Sequence, residues 1–506
     1  MSEAERTGER VAKNTLLRAI GEMLGKLASL LLFAVLAREV GVSDVGAFVF
    51  AFAWVQVTMM PIGLGFERYI LRAIALDRSK VDELFFNVLY LKALRALPVA
   101  ALSFAAVGLL GYDAQTRTAV YVLTVGQVLD SMARTLFAVF NAFERGSLIA
   151  ATVVVQRYLA AGMGLVALAL GGGVVSVCVT FTVGTGIGLA WGLVGMRRSI
   201  GLPRFSLPAE ARTTLRRMSR GYGVQDILGI LLARLDAVML SLLASQAAVG
   251  RYGAAYRLLE STFFLTSAVN GAFAAMFAYL GRDTEPTVGA VFARSIKLSL
   301  SALVPCAVAL GVLAEPLSRA FFGAQLEGAA GPLRLLAPAV VMLGLVTLAS
   351  SLLLGRREPA LLVRIAAAAV GLNIALNLAF IPLWQERGAA AAMLVTGTLF
   401  AAVLLAYSIR EAGTVRLGAM WGGPLVAGAV MAAVMLALSG NMLAAVPAGV
   451  AAYLGVLFAV ERALNPGDVE FILSMVRRRA TSRHACPDPA RTPHCEDDAV
   501  PQPRPR

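Results

Sequence analysis

Charged residues are scarce in this sequence. Only 15% of the 506 residues are Asp, Glu, Lys or Arg, whereas 58% are hydrophobic. Soluble domains carry roughly a quarter charged residues, and no stretch here is both long and polar enough to form a separate soluble domain. The composition therefore excludes an ordinary soluble protein and predicts an all-α membrane protein, because a helix satisfies its own backbone hydrogen bonds inside a bilayer.

Histidine and cysteine are also rare, with two and four residues in the chain. Four of these six residues fall near the C-terminus, at His484, Cys486, His494 and Cys495. Their spacing matches no standard zinc module, and surroundings rich in Pro, Asp and Arg predict a disordered tail. The sequence contains no phosphate-binding loop and no nucleophile elbow. We therefore expect no metal, no cofactor and no enzymatic activity.

The basic residues give the chain a formal net charge of +14. They form no stripe or aromatic-interleaved patch, so we expect no nucleic-acid partner. They fall between apolar segments, mainly on alternate sides, as the positive-inside rule requires. This pattern predicts a multi-pass protein of the inner or plasma membrane with both termini cytoplasmic. The cations assigned to the cytoplasm include Arg6, Arg10, Arg68, Arg72, Arg145, those from Arg197 to Arg220, Arg356, Arg410 and Arg477 to Arg479.

Apolar runs long enough to cross a bilayer recur along almost the whole chain. A transmembrane helix needs about 20 mainly apolar residues, and we expect about 14 transmembrane helices, the first of them a retained anchor. The expected spans are 15–38, 44–65, 84–110, 118–140, 147–170, 173–196, 221–243, 252–279, 290–313, 332–354, 359–383, 388–409, 419–439 and 442–461.

An internal repeat divides these spans into two groups. The sequence VGAFVFAF at 45–52 follows the first span, and VGRYGAAY at 249–256 follows the seventh. An even number of spans per repeat predicts two parallel six-helix lobes with a cleft between them. The expected regions are an N-lobe at 1–196, an Arg-rich cytoplasmic linker at 197–220, a C-lobe at 221–410, two further helices at 411–462 and a disordered cytoplasmic tail at 463–506.

Short motifs in both halves are similar to those of one transporter family. They are KNT at 13–15, AREVG at 37–41, VGAF at 45–48, RLDAVML at 234–240, VGRY at 249–252, AAYRLLE at 254–260, RAFFG at 319–323 and LLAP at 335–338. As an ordered set they resemble the polysaccharide-transporter branch of the multidrug/oligosaccharidyl-lipid/polysaccharide exporter (MOP) superfamily. The resemblance implies a V-shaped pair of lobes that flips a polyprenyl-diphosphate-linked oligosaccharide from the cytoplasmic to the outer leaflet.

Ionisable residues inside the apolar spans are the best candidates for a site. Each costs about 2.5–3.5 kcal/mol to insert and seldom faces lipid. Three pairs share a helix face and can neutralise each other: Glu22 with Lys26, Asp130 with Arg134, and Arg257 with Glu260. Such pairs are structural on the simplest interpretation. The resemblance implies a substrate-binding role for Lys26 and Arg257, because relatives carry needed cations on these two helices.

Arg157 and Arg234 lack such a partner on their own helix face. An uncompensated guanidinium in a water-filled cleft suits a diphosphate, which accepts two parallel hydrogen bonds from it. We therefore predict that both line the cavity, with snorkelling or pairing between helices as the alternative. The cations nearer the span ends, Lys92, Arg95, Arg294 and Lys297, are expected to snorkel.

Coupling to an ion requires a carboxylate that takes up H⁺ or binds Na⁺. Asp130, Asp226 and Asp236 are the candidates. The expected partners are the lipid-linked glycan, membrane lipids and proteins of polysaccharide assembly, and we expect a monomer. Two alternatives stay open: a drug or metabolite antiporter of the same superfamily, and a non-transporting subunit of a glycan-assembly complex.

Overall fold

The computed structural model describes residues 21, 23–266, 285–355, 359–412 and 417–464. Its described part consists of helices joined by turns and contains no strand. Residues 465–506 of the predicted C-terminal tail (463–506) and Glu22 lie outside the described residues.

Sixteen helices with the bounds given next follow one another along the described chain, and a further short helical segment lies at 263–266. They are α1 (23–39), α2 (Val42–Thr58), α3 (Phe66–Leu76), α4 (Val81–Leu109), α5 (Ala114–Ala142), α6 (Gly146–Ala169), α7 (Val174–Ser199), α8 (Ala209–Leu243), α9 (Gln246–Ser261), α10 (Glu285–Val312), α11 (Ala314–Phe322), α12 (Ala330–Leu336), α13 (Ala339–Gly355), α14 (Pro359–Ala412), α15 (Leu417–Ala437) and α16 (Met442–Leu464). Short 3₁₀ turns lie at Met60–Ile62, Arg78–Lys80 and Ala324–Ala329.

Most of these helices begin and end within a few residues of the predicted spans, and their start signals are local. The Asp113 carboxylate accepts hydrogen bonds from the first free backbone N–H groups of α5, and the Ser245 hydroxyl does the same for α9. Such caps satisfy donors that have no partner inside the helix. The all-α membrane architecture predicted from composition is confirmed.

The number of membrane crossings follows less directly from the helices. Eight helices of the described part are long and apolar enough to cross a membrane, or nine if the bent pair 324–336 and 339–354 forms one span. The 54-residue α14 counts once in this tally, yet it breaks at Gln385, where φ is 50°. At about 1.5 Å per residue it is roughly 80 Å long, enough for two crossings. The count of fourteen stays a prediction.

Two helices were not predicted from hydropathy. The amphipathic α3 occupies the loop that carries Arg68 and Arg72, and α11 lies in the loop that carries Arg319. The predicted linker 197–220 is also partly helical, because α7 continues to Ser199 and α8 runs unbroken from Ala209. The division into two lobes stays a prediction.

Glycines bring the first half of the chain (α1–α7) into contact with the second half (α8–α16) at both ends of α2. Near its start, a Cβ on Gly46 would lie 1.9 Å from the Gln246 carbonyl oxygen, and one on Gly250 would lie 2.3 Å from the Val42 carbonyl oxygen. Small residues allow helix backbones in membranes to approach this closely. We call this the Gly46–Gly250 contact.

A second contact lies beyond the other end of α2. Gly65 has a left-handed φ of 76°, and a Cβ there would lie 2.5 Å from the Gly223 backbone nitrogen on α8. The positive φ, together with this approach, requires glycine at position 65. We call this the Gly65–Gly223 contact. The two contacts place α2 and α3 of the first half against α8 and α9 of the second half at opposite ends of the bundle.

Candidate functional site

A cavity of about 310 Å³ lies between the two halves of the described chain. Helices α1, α2, α5, α6 and α7 form one side, and α8 and α9 form the other. Its lining residues are Gly25, Lys26, Ser29, Leu30, Phe52, Gln56, Gln127, Asp130, Arg134, Val153, Arg157, Phe181, Arg234, Arg257, Glu260 and Ser261. The lining of this one cavity therefore contains both charged groups and aromatic rings.

The four cations predicted as substrate ligands all line this cavity: Lys26, Arg157, Arg234 and Arg257. They come from four different helices, α1, α6, α8 and α9. Of the three carboxylates predicted for ion coupling, Asp130 lines the cavity, whereas Asp226 and Asp236 are absent from its lining.

Arg234 is not a free cation, contrary to the sequence-based interpretation. Its Nη2 lies 2.6 Å from Oε1 of Glu260, which is 26 positions away along the chain and on the next helix. Arg257 donates to the other oxygen of Glu260 at 3.2 Å, which confirms the predicted pair on α9. One carboxylate thus serves two guanidinium groups.

Arg157 keeps its predicted lack of an ion pair. Within the described ranges, no carboxylate oxygen lies within 4.0 Å of its guanidinium group, which instead lies 5.5 Å from the centroid of the Phe181 ring. Gly25 on α1 makes room for the arginine, because a Cβ there would come within 3.2 Å of Arg157 Cγ. Arg157 therefore lines the cavity without a carboxylate partner among the described residues.

Asp130 and Arg134 form the predicted pair one turn apart on α5. Arg134 Nε and Nη2 lie 2.8 and 2.7 Å from the same Asp130 oxygen. The Arg134 side chain is half exposed, and because Asp130 also lines the cavity, the pair adds no net charge to it. The Lys26 ammonium lies 5.3 Å from the centroid of Phe263, and its predicted partner Glu22 falls outside the described residues.

Asp236 lies apart from the cavity, in a buried polar cluster between α8, α9 and α14. Its side chain is 2% exposed. Asn377 Nδ2 donates to Asp236 Oδ1 at 2.7 Å, and the Tyr252 hydroxyl donates to Oδ2 at 3.1 Å. Asn373 lies one turn before Asn377 and accepts a hydrogen bond from it. No cation of the described chain forms an ion pair with this carboxylate.

Asp226 has a different setting, since it forms an ion pair with Arg68 of α3 at 2.8 Å. The same Arg68 donates to Gln225 at 2.6 Å, and Arg72 donates to the Tyr222 hydroxyl at 3.2 Å. These bonds lie beside the Gly65–Gly223 contact. Asp226 therefore contributes to the junction between α3 and α8.

Lys92 does not snorkel to a membrane surface as predicted. Its side chain is fully buried, and its ammonium donates to Glu67 Oε1 at 2.5 Å, to the Ser131 carbonyl at 2.5 Å and to the Thr135 hydroxyl at 2.9 Å. Lys297 likewise pairs with Glu461 of α16. Both are structural cations that tie helices together.

Sequence reasoning missed the neutral part of the cavity wall. Gln56, Gln127, Phe52 and Phe181 all line it, and Gln56 accepts a hydrogen bond from Arg234 Nε at 3.2 Å. A glutamine in the middle of an apolar span was the available signal for the first two. Among the described residues, no group of three His, Cys, Asp or Glu is placed to hold a metal ion.

Comparisons with known proteins agree with the fold and with the resemblance in sequence. A family model described as "Polysaccharide biosynthesis protein" matches residues 11–280. The chain is 23% identical over 390 residues to the "Probable low-salt glycan biosynthesis flippase Agl15" of Haloferax volcanii. The aligned region covers 76% of this chain and 80% of that protein.

Solved structures show the same fold. The structure described as "Lipid II flippase MurJ, inward closed conformation" has a TM-score of 0.72 at 15% identity and covers 89% of this chain and 99% of its own. An inward-facing multidrug resistance MATE family transporter of the MOP superfamily has a TM-score of 0.66 at 13% identity and covers 79% and 98%. The chain is thus a multi-pass membrane protein with a MurJ- and MATE-like fold. Because the family match spans more than half of its 506 residues, this chain belongs to the polysaccharide biosynthesis protein family.

Proposed function

We propose that this protein is a flippase that moves a polyprenyl-diphosphate-linked oligosaccharide from the cytoplasmic to the outer leaflet by alternating access. The observation that carries the proposal is the convergence of Lys26, Arg157, Arg234 and Arg257 on one cavity between the two halves. The names of the relatives Agl15 and MurJ, each called a flippase, support the same assignment.

The charge of the cavity favours an anionic head group. Five cations and two carboxylates line it in the described part of the chain, so its net charge is positive. Cations buried in a membrane protein are costly and are retained where they serve a function. A diphosphate carries several negative charges and accepts paired hydrogen bonds from guanidinium groups. The aromatic rings of Phe52 and Phe181 offer stacking surfaces to the first sugars or to the prenyl chain.

The two glycine contacts supply candidate gates for alternating access. The cavity lies between them, because α2 and α9 meet at one end of the bundle and α3 and α8 at the other. Opening the Gly65–Gly223 contact would admit substrate from the end that carries Arg68 and Arg72, which we assign to the cytoplasm. Opening the Gly46–Gly250 contact would release it at the other end. Rocking of two repeats about a central site is a common transporter mechanism.

We propose Asp236 as the ion-coupling carboxylate, in preference to Asp130 and Asp226. The latter two are neutralised by Arg134 and Arg68. Asp236 instead has neutral neighbours, and the side-chain oxygen of Asn377 is buried without a hydrogen-bond partner. Carboxylate and amide oxygens suit a hard cation such as Na⁺, and a buried carboxylate also suits H⁺ exchange.

A reconstituted assay tests the transport proposal. Proteoliposomes would carry a polyprenyl-diphosphate-linked oligosaccharide, and a membrane-impermeant glycosidase would report the glycan on the outer face. We expect the wild type to expose the inner pool and Arg157→Ala to slow this at least about tenfold, because a charge-assisted contact is lost. The control is Arg319→Ala, an exposed arginine paired with Glu327 outside the cavity.

Three outcomes would decide against parts of this proposal. Wild-type protein that moves no glycolipid but exports a cationic dye would favour the drug antiporter. Full activity in both Arg157→Ala and Arg234→Ala would refute the cavity as the binding site. For ion coupling, Asp236→Asn is expected to remove the stimulation of flipping by an imposed Na⁺ or H⁺ gradient, and unchanged stimulation would refute its role.

A further inference from the structure

Glu260 lies on the cavity wall between two guanidinium groups. Its Oε1 accepts a hydrogen bond from Arg234 at 2.6 Å, and its Oε2 accepts one from Arg257 at 3.2 Å. The side chains of all three are about one-fifth exposed, so the cluster faces the cavity. A single carboxylate therefore uses both oxygens to pair with two of the cations proposed to bind substrate, and the three groups together keep one positive charge.

Both guanidinium groups are also held by contacts that do not involve Glu260. Arg234 donates to Gln56 at 3.2 Å and lies 5.3 Å from the centroid of the Tyr256 ring. Arg257 lies 5.1 Å from the centroid of Phe33 and 5.9 Å from that of Phe52. Cations over aromatic faces are attracted by the ring electrons. Removal of the Glu260 carboxylate would thus leave the two cations in place and uncovered.

The carboxylate has the same binding geometry as part of a phosphate. Both groups present two oxygens that accept hydrogen bonds from neighbouring guanidinium groups. We propose that Glu260 is an internal competitor of the substrate: it occupies the anion position between Arg234 and Arg257 while the cavity is empty and is displaced when a diphosphate head group binds. This inference rests on the proposed function, since it assumes an anionic cargo.

Displacement of Glu260 makes the site selective for charge. A monoanion that takes the place of the carboxylate exchanges one negative charge for another and gains little. A diphosphate brings more than one negative charge to the same two cations and can also reach Arg157, which has no ion pair in the described chain. The same competition assists release, because the carboxylate returns to the cations as the product leaves.

The test measures binding of inorganic pyrophosphate, orthophosphate and farnesyl diphosphate to the purified full-length protein by isothermal titration calorimetry. We expect Glu260→Gln to bind pyrophosphate about tenfold more tightly than the wild type, because two charge-assisted bonds no longer compete. It should also bind orthophosphate measurably and lose selectivity. Flipping in proteoliposomes should show a lower KM and a lower kcat. Glu260→Asp should restore part of the selectivity.

The matched control is Glu386→Gln, because Glu386 pairs with Arg251 at 2.6 Å and is buried to a similar degree outside the cavity. Its pyrophosphate affinity should equal that of the wild type, and thermal unfolding would verify that each variant is folded. Equal pyrophosphate affinity in Glu260→Gln and wild type, with loss of binding in Arg157→Ala, would overturn the role of Glu260 and leave the proposed function intact. Failure of every form to bind either diphosphate would overturn both.

Discussion

The Gly46–Gly250 contact and the Gly65–Gly223 contact, which we propose as closures at opposite ends of the cavity, differ in composition. The first is made by backbone against backbone, within the buried residues Val45, Val249 and Tyr252. The second adds polar side chains. It includes the ion pair between Arg68 and Asp226, whose side chains are 45% and 31% exposed, respectively. Apolar packing is not weakened by charge screening, whereas an exposed ion pair contributes about 0–1 kcal/mol and is screened by salt.

This difference indicates which end opens more easily. A close contact between helix backbones separates only when many packed atoms lose their neighbours together. The α3–α8 junction also contains a backbone approach, at Gly65 and Gly223, but polar bonds that are partly exposed to water make up part of it, and these bonds separate more easily. We therefore expect the empty protein to open first at the Gly65–Gly223 contact, the end proposed to face the cytoplasm.

The anchor of α3 gives the largest expected effect on this comparison. Glu67 ties α3 to α4 of its own half through the fully buried Lys92, so α3 is expected to stay with the first half when the junction with α8 separates. Lys92→Met removes the buried cation and leaves the Glu67 carboxylate without its partner, which costs about 3–5 kcal/mol when a buried pair is broken. Thermal unfolding followed by circular dichroism should show a large loss of stability.

The control for this prediction is the double variant Lys92→Met/Glu67→Gln. Removing both charges should recover much of the stability, because no uncompensated carboxylate remains. Equal stability of Lys92→Met and wild type would mean that the buried pair does not hold α3.

Gly46→Val should break the backbone contact at the other end. Its side chain has no room, since even a Cβ would lie 1.9 Å from a carbonyl oxygen of α9. The helices must separate there, and we expect flipping to fall by at least about tenfold, by analogy with other overpacking substitutions. Electron–electron distances between spin labels on α2 and α9 would report the separation.

The control here is Gly162→Val on α6, where a Cβ meets nothing within 4 Å. It carries the same added atoms and the same β-branched side chain. Unchanged α2–α9 distances in Gly46→Val would contradict the assignment of this contact as a closure.

Arg68→Ala should give the smallest effect, an increase in opening at the α3–α8 junction. Loss of an exposed ion pair is expected to shift the equilibrium by about two- to fivefold. The measurement is the labelling rate of a cysteine introduced at Ser261 in the cavity, with a membrane-impermeant thiol reagent applied from the proposed cytoplasmic side. Arg319→Ala is the control.

Added salt should act in the same direction on the wild type. Raising the ionic strength to about 1 M shortens the Debye length to about 3 Å and screens the exposed pair. Labelling from the opposite side should not change, because the Gly46–Gly250 contact contains no ion pair among the described residues. Equal salt dependence on both sides would remove the distinction between the two closures.

The sequence predicted what depends on neighbours along the chain. Hydropathy located most helices, and spacing of three or four residues identified the pairs Asp130–Arg134 and Arg257–Glu260. The placement of Arg157 and Arg234 in the cavity was predicted from the cost of an unpaired charge in a bilayer, whereas that of Lys26 and Arg257 was implied by the family resemblance.

Contacts between distant segments were beyond that reasoning. Arg68 and Gln225 are 157 positions apart, and Arg234 and Glu260 are 26 positions apart on different helices. Neither pairing produces a pattern in hydropathy or in helical spacing from which it could be predicted. The amphipathic α3 was missed because its charges favour a loop when the packing partner is unknown, and the burial of Lys92 depends on that same helix.

Helix α8 is a continuous helix that carries residues of three separate sites. It runs for 35 residues without a break and carries Asp226 at the junction with α3, Arg234 in the cavity and Asp236 in the polar cluster. The first and last of these are ten positions apart, or about 15 Å along the axis. A rotation or tilt of α8 that changes the contacts of one of these three residues also moves the other two. Under the roles proposed for Arg234 and Asp236, thermodynamic reciprocity makes the coupling free energy of each pair among cargo, cation and closure the same in both directions.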